Sequence, residues 1–64
     1  MGEETTATLF EQIESEFETL KENHANFQEK GNKAAGKRAR KAANELKKLM
    51  TPYKQTSVNE AKQL

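Results

Sequence analysis

Apolar and aromatic positions recur through the first half of this chain at Phe10, Ile13, Phe17, Leu20, His24 and Phe27, in steps of 3, 4, 3, 4 and 3. That spacing is the heptad seam of an amphipathic helix. The intervening positions are mostly Glu, Gln, Asn and Lys, as expected of a solvated outer face. Thr8 followed by Glu11 reads as a capping box ahead of the pattern. The spacing therefore predicts a helix over about residues 9–30, after a flexible polar lead-in over 1–7.

Gly31-Asn32 is the strong turn signal. Glycine suits the left-handed position just past a helix end, and asparagine is a favoured N-cap. A second seam follows at Ala35, Ala39, Ala42, Leu46, Leu49 and Tyr53, in steps of 4, 3, 4, 3 and 4. It predicts a helix from Lys33 to about Met50. So short a connection makes the two helices antiparallel neighbours. Folding back sets Phe27 against Ala35, His24 and Leu20 against Ala39 and Ala42, Phe17 against Leu46, Ile13 against Leu49, and Phe10 against Tyr53. Alanines near the turn allow close approach, and the helices are expected to splay toward the termini. His24 is read as a half-buried structural residue.

Thr51-Pro52 interrupts this pattern. Proline inside a helix removes a donor and clashes with the carbonyl four residues back, at a cost of about 3 kcal/mol. With Thr51 as N-cap and Pro52 as first helical residue that cost disappears. The second helix is thus expected to kink or restart at Pro52 and continue weakly to about Lys62. The fold class is all-α: an antiparallel, coiled-coil-like two-helix hairpin over residues 8–62.

Composition adds a constraint on stability. Leu, Ile, Val and Phe number ten of 64 residues, and there is no cysteine. A chain this short usually needs a staple. With disulfides and thiolate metal sites excluded, self-association is the staple that remains. A homodimer or higher homo-oligomer is expected, meeting at the open end around Leu9, Phe10, Ile13, Leu49, Met50 and Tyr53.

Charge changes the picture more. The net charge of +1 conceals two opposite halves. Residues 1–30 carry eight Glu and two Lys, net −6, whereas residues 31–64 carry nine Lys or Arg and two Glu, net +7. The two helices either neutralise each other or offer their outer faces to different partners. At 100° per residue, Lys33, Lys37, Arg40, Lys41, Lys47 and Lys48 lie opposite the alanine seam, with Arg38 nearer its edge. A face of this kind is either a solvated surface or a contact for phosphates. Few aromatics accompany it, so stacking on single strands is not indicated. Any nucleic-acid binding through it is expected to be independent of sequence.

Catalytic chemistry has no visible basis. There is one histidine, no G-x-S-x-G elbow and no paired metal-ligand spacing, so no enzyme, metal or cofactor is expected. No apolar run is long enough for a membrane span or signal peptide, and no membrane partner is expected.

The stretch EKGNKAAGKRARKAANELKKL, residues 29–49, closely resembles the core of the bacterial histone-one-like proteins. These include the chlamydial linker-histone-like protein and short relatives of the Bacteroidetes type. The family pattern is met at Glu29, Lys30, Gly31, Asn32, Lys33, Ala34, Ala35, Arg38, Arg40, Leu46 and Lys48. Tyr53-Lys54 and Ser57-Val58 are also similar, so the resemblance covers about residues 27–62, with the first helix alike only in character. It implies a nucleoid-associated, cytoplasmic protein that binds double-stranded DNA through phosphates, with Lys33, Lys37, Arg38, Arg40, Lys41, Lys47 and Lys48 as the contacts. The long basic tail of chlamydial members has no counterpart in these residues, so the chain looks like the short, tail-less type. The competing expectation is a self-associating or partner-binding helical hairpin with no nucleic-acid role.

Overall fold

The computed structural model describes residues 4–64. They form two helices, α1 (Thr6–Lys30) and α2 (Lys33–Lys62), packed along their length as an antiparallel hairpin of 48 × 19 × 17 Å. Residues 1–3 of the expected lead-in lie outside the described residues. Residues 6 and 7 belong to α1, because its cap is one turn earlier than expected. Thr5, not Thr8, is the N-cap. Its hydroxyl accepts from the Thr8 backbone N–H at 3.2 Å, while the Thr8 hydroxyl accepts from the Thr5 N–H at 3.1 Å. Thr8 thus fills the reciprocal role usually taken by Glu or Gln.

The turn is built as its residues imply. Gly31 adopts φ 62°, and its N–H bonds back to the Phe27 carbonyl at 3.1 Å. A left-handed residue at this point is tolerated best by glycine. Asn32 then caps α2, its side-chain oxygen accepting from the Ala35 N–H at 3.1 Å.

The α2 seam is the expected one: Ala35 and Ala42 are buried, and Ala39, Leu46, Leu49 and Tyr53 half-buried. The α1 seam is displaced. Leu9 is fully buried, Asn23 is 9% exposed, and Ile13, Glu16 and Leu20 are half-buried. Phe10 and Phe17 remain 50% and 52% exposed, and His24 is exposed rather than half-buried. The true seam, 9-13-16-20-23-27, is also a heptad run, one position away from the expected one at every other step. Both runs share Ile13, Leu20 and Phe27, so α1 has a wide apolar arc, and packing decides which edge of it turns inward. Near the turn, small alanines opposite favour the slimmer Asn23 over His24, and at the open end Leu9 turns inward. The phenyl rings of Phe10 and Phe17 stay at the edge.

Near the turn, Phe27 lies over Gly36 rather than only against Ala35, with ring atoms close to where a Cβ at residue 36 would stand. The open end does not splay. The Glu60 carboxylate accepts from both the backbone N–H of Thr6, at 2.9 Å, and its hydroxyl. One side chain of α2 thereby supplies an acceptor to the first turn of α1, where free N–H groups and the positive end of the helix dipole favour an anion. The side-chain bond to Thr6, then the backbone bond, holds the Glu60 carboxyl below the usual glutamate range.

Pro52 does not restart α2. The helix runs from Lys33 to Lys62 with Pro52 inside it. The Lys48 carbonyl forgoes its usual donor four residues on. Packing beyond the proline compensates: Tyr53, Thr56 and Glu60 are half-buried, and the Glu60 clasp anchors the segment to α1.

Candidate nucleic-acid interface

All seven basic residues singled out on α2 are exposed, and all belong to a single continuous helix. Their angular positions sort them into two ridges. Lys33, Arg40 and Lys47 recur every seven residues along one line. Lys37, Lys41 and Lys48 form a second line about a quarter turn away. Both face away from the seam residues Ala35, Ala42 and Leu46. The α2 segment is net +7 and α1 is net −4. Charge is thus segregated across the thin dimension of the hairpin.

Two residues depart from a uniform stripe. Lys48 lies 3.6 Å from Glu45, three residues earlier. Glu45 partly offsets the charge of this lysine. The pair is exposed, so the attraction is weak and easily screened. Arg38 sits apart from both ridges, at the edge nearest α1. Its Nε donates to the Asn23 side-chain oxygen at 2.8 Å.

Lys54 is not among the contacts expected from the sequence. It continues the line of Lys33, Arg40 and Lys47 by one more step of seven, and it is exposed. The heptad spacing was visible, but a restart at Pro52 would have broken the angular register. With α2 unbroken, Lys33 to Lys54 spans about 32 Å at 1.5 Å per residue. That length matches about nine base-pair steps of duplex, each about 3.4 Å along the axis.

Among the described residues no group of His, Cys, Asp or Glu is arranged to hold a metal. Among the described residues no helix is long and apolar enough to cross a membrane.

Neither the curated proteins nor the solved structures contain a match to this chain. A family model does match: that of the histone H1-like protein Hc1, over residues 7–63. The match takes in α1 as well as the 27–62 segment that carried the sequence resemblance. It covers nearly all of the hairpin, and the chain belongs to the histone H1-like Hc1 family of DNA-binding, nucleoid-associated, non-enzymatic proteins.

Proposed function

We propose that the hairpin binds double-stranded DNA through phosphates, independently of sequence, using the outer face of α2. The contacts are Lys33, Lys37, Arg38, Arg40, Lys41, Lys47 and Lys48, with Lys54 extending the first ridge. The observation that carries this reading is the arrangement of exposed cations on one unbroken helix, turned away from an acidic partner helix. Lys and Arg in two lines can follow a charged backbone, whereas nothing in the array is built to read base edges. The acidic α1 faces away from the duplex and so sets the docking side.

The test is a titration against duplex DNA at several salt concentrations. Each neutralised phosphate releases counterion, so about six contacts give a log–log salt slope near −5. Reversing Lys37, Arg40 and Lys41 to Glu abolishes binding while leaving the helical signal intact, because all three side chains are exposed. A parent that never binds duplex at low salt refutes the reading, as does a triple variant that binds like the parent. The basic face would then be a protein contact.

Self-association belongs to the same reading. Phe10, Phe17 and Met50 are 50%, 52% and 40% exposed and lie on the same side of the hairpin by helical position. Asn23, Arg38 and Glu45 occupy the other side. A two-fold axis along the length of the hairpin covers these rings with a second copy and sets α1 of one copy opposite α2 of the other, matching acidic against basic. The proposed contact is a lateral face that keeps Phe10 and Met50 of the expected one and leaves out Leu9, which is fully buried within the hairpin.

A further inference from the structure

A buried polar relay joins the two helices where an apolar contact is expected. Asn23 occupies a seam position and is 9% exposed. Its side-chain amide nitrogen donates to the Thr19 carbonyl at 2.8 Å, one turn back on α1. The amide oxygen is therefore turned toward α2, where it accepts from Arg38 Nε at 2.8 Å. Flipping the amide would set donor against donor and acceptor against acceptor, so the two bonds fix each other.

The consequence falls on Arg38. One of its five donors is engaged, and the planar fork is held in one orientation while the residue stays exposed. Among the described residues no carboxylate lies within 4.0 Å of it. Arg38 lines a shallow groove together with Thr19, Lys41, Ala42, Glu16 and Glu45. Glu16 and Glu45 are seven residues from Asn23 and Arg38 respectively, about 10 Å along the axes toward the open end. The groove is thus cationic at its turn-side end, where Arg38 and Lys41 stand on successive turns.

We infer that Asn23 is a positioning residue: it fixes the Arg38 guanidinium as a seat for one backbone phosphate, with Lys41 beside it. The inference rests on α2 being the DNA-binding face. A guanidinium presents parallel donors that match two phosphate oxygens, and holding it beforehand removes the ordering cost that mobile lysines incur on binding. An apolar residue at position 23 would pack in the seam without needing partners. Asparagine there orders a side chain that reaches the surface. The seat also ranks the ridges. Arg38 is nearer in angle to the line of Lys37, Lys41 and Lys48 than to that of Lys33, Arg40 and Lys47, so the anchored strand follows that side of α2.

Fluorescence anisotropy with a short duplex at low salt tests this, using the parent, Asn23→Ala, Arg38→Lys and the double variant, each with a thermal melt. Asn23→Ala is expected to weaken binding about fivefold, as an oriented charge-assisted bond gives way to a mobile one, with the salt slope unchanged because no charge is lost. In the Arg38→Lys background, where no fork remains to orient, the same change is expected to alter affinity less than about twofold. An Asn23→Ala variant that binds like the parent overturns the inference. So does an equal loss in both backgrounds, which would mean a purely structural asparagine. Should alanine reduce helicity, Asn23→Leu keeps the same branched shape in the seam and carries the same comparison. A parent with no affinity for duplex overturns the proposed function and this inference together, an outcome distinct from failure of the variant alone.

Discussion

The ring of Phe27 occupies the space a side chain at Gly36 would need. A Cβ built on Gly36 would stand 2.8 Å from Phe27 Cδ1 and 3.0 Å from Cε1, closer than carbon atoms tolerate without movement. Two effects therefore oppose each other in Gly36→Ala. Alanine is favoured over glycine inside a helix by about 1 kcal/mol. Displacing the ring costs part of a phenylalanine burial worth about 1.5–3 kcal/mol. The contacts are with the body of the ring, Cγ, Cδ1 and Cε1, so we expect the second effect to prevail and the variant to lose about 1 kcal/mol. In a Phe27→Ala background the sign is expected to reverse, with Gly36→Ala gaining about 1 kcal/mol. Urea unfolding of the four proteins decides it; a gain in both backgrounds would show that the ring yields freely.

The Glu60 clasp makes the open end sensitive to acid. Its carboxyl is held below the ordinary range, chiefly by the Thr6 hydroxyl and then by the Thr6 N–H. A group whose folded pKa is depressed contributes stability that is complete above its unfolded pKa and is lost as pH falls through the folded value. Glu60→Gln is expected to lower the melting temperature at pH 7 and to bring the two proteins together below the carboxylate range. Comparing parent with variant isolates Glu60 from the six glutamates of α1. Parallel curves from pH 7 to 3 would count against the clasp.

Pro52 sits inside a continuous helix, so its cost is unrelieved by a capping role. Pro52→Ala restores the N–H that the Lys48 carbonyl lacks. We expect a stabilisation of up to about 3 kcal/mol, the penalty of an interior proline. A proline at the first position of a restarted helix would instead be neutral or helpful. Thermal melts of the two proteins separate these cases, and a variant no more stable than the parent would place a helix break at Thr51.

Much of the hairpin was legible because its signals agree with one another. Gly31 and Asn32 serve helix end and helix start, and the alanine seam of α2 has one apolar face. The α1 seam was less legible for a physical reason. Leu9, Phe10, Ile13, Glu16, Phe17 and Leu20 spread over an arc wide enough to hold two heptad runs, and Glu16 and Asn23 do not look like seam residues. Near the turn, small alanines opposite and Arg38 as a partner for Asn23 favour the observed run. The basic face was readable as residues, since exposure follows from angular position. Its extension to Lys54 was hidden by Pro52, whose penalty is local while the Glu60 clasp that offsets it lies eight residues further on.

Lys54 provides a direct check on that extension. If the first ridge continues past the proline, Lys54→Ala removes one phosphate contact. The log–log salt slope is then expected to become shallower by about 0.9, with affinity falling at low salt. Lys21, on the acidic helix, is the control: its replacement by Ala leaves the slope unchanged. Titrations of the three proteins against the same duplex suffice, and equal slopes for Lys54→Ala and the parent would confine the interface to residues before Pro52.

Self-association is expected to depend on the exposed rings and not on the clasped end. Phe10 and Phe17 are two turns apart on α1 and each keeps half its surface in solvent. Replacing both with Glu leaves the seam residues Leu9, Ile13 and Leu20 untouched. The hairpin should therefore remain helical while two new charges oppose burial of that face, a change no small apolar interface tolerates. Sedimentation at tens of micromolar is expected to show a dimer for the parent and a monomer for the double variant. The dimer is also expected to weaken with salt, because a two-fold axis along the hairpin sets acidic α1 opposite the partner's basic α2. A parent that stays monomeric and fully helical would show that two helices, the polar relay and the Glu60 clasp suffice for stability without a partner. A double variant that still dimerises would move the contact away from the phenylalanine face.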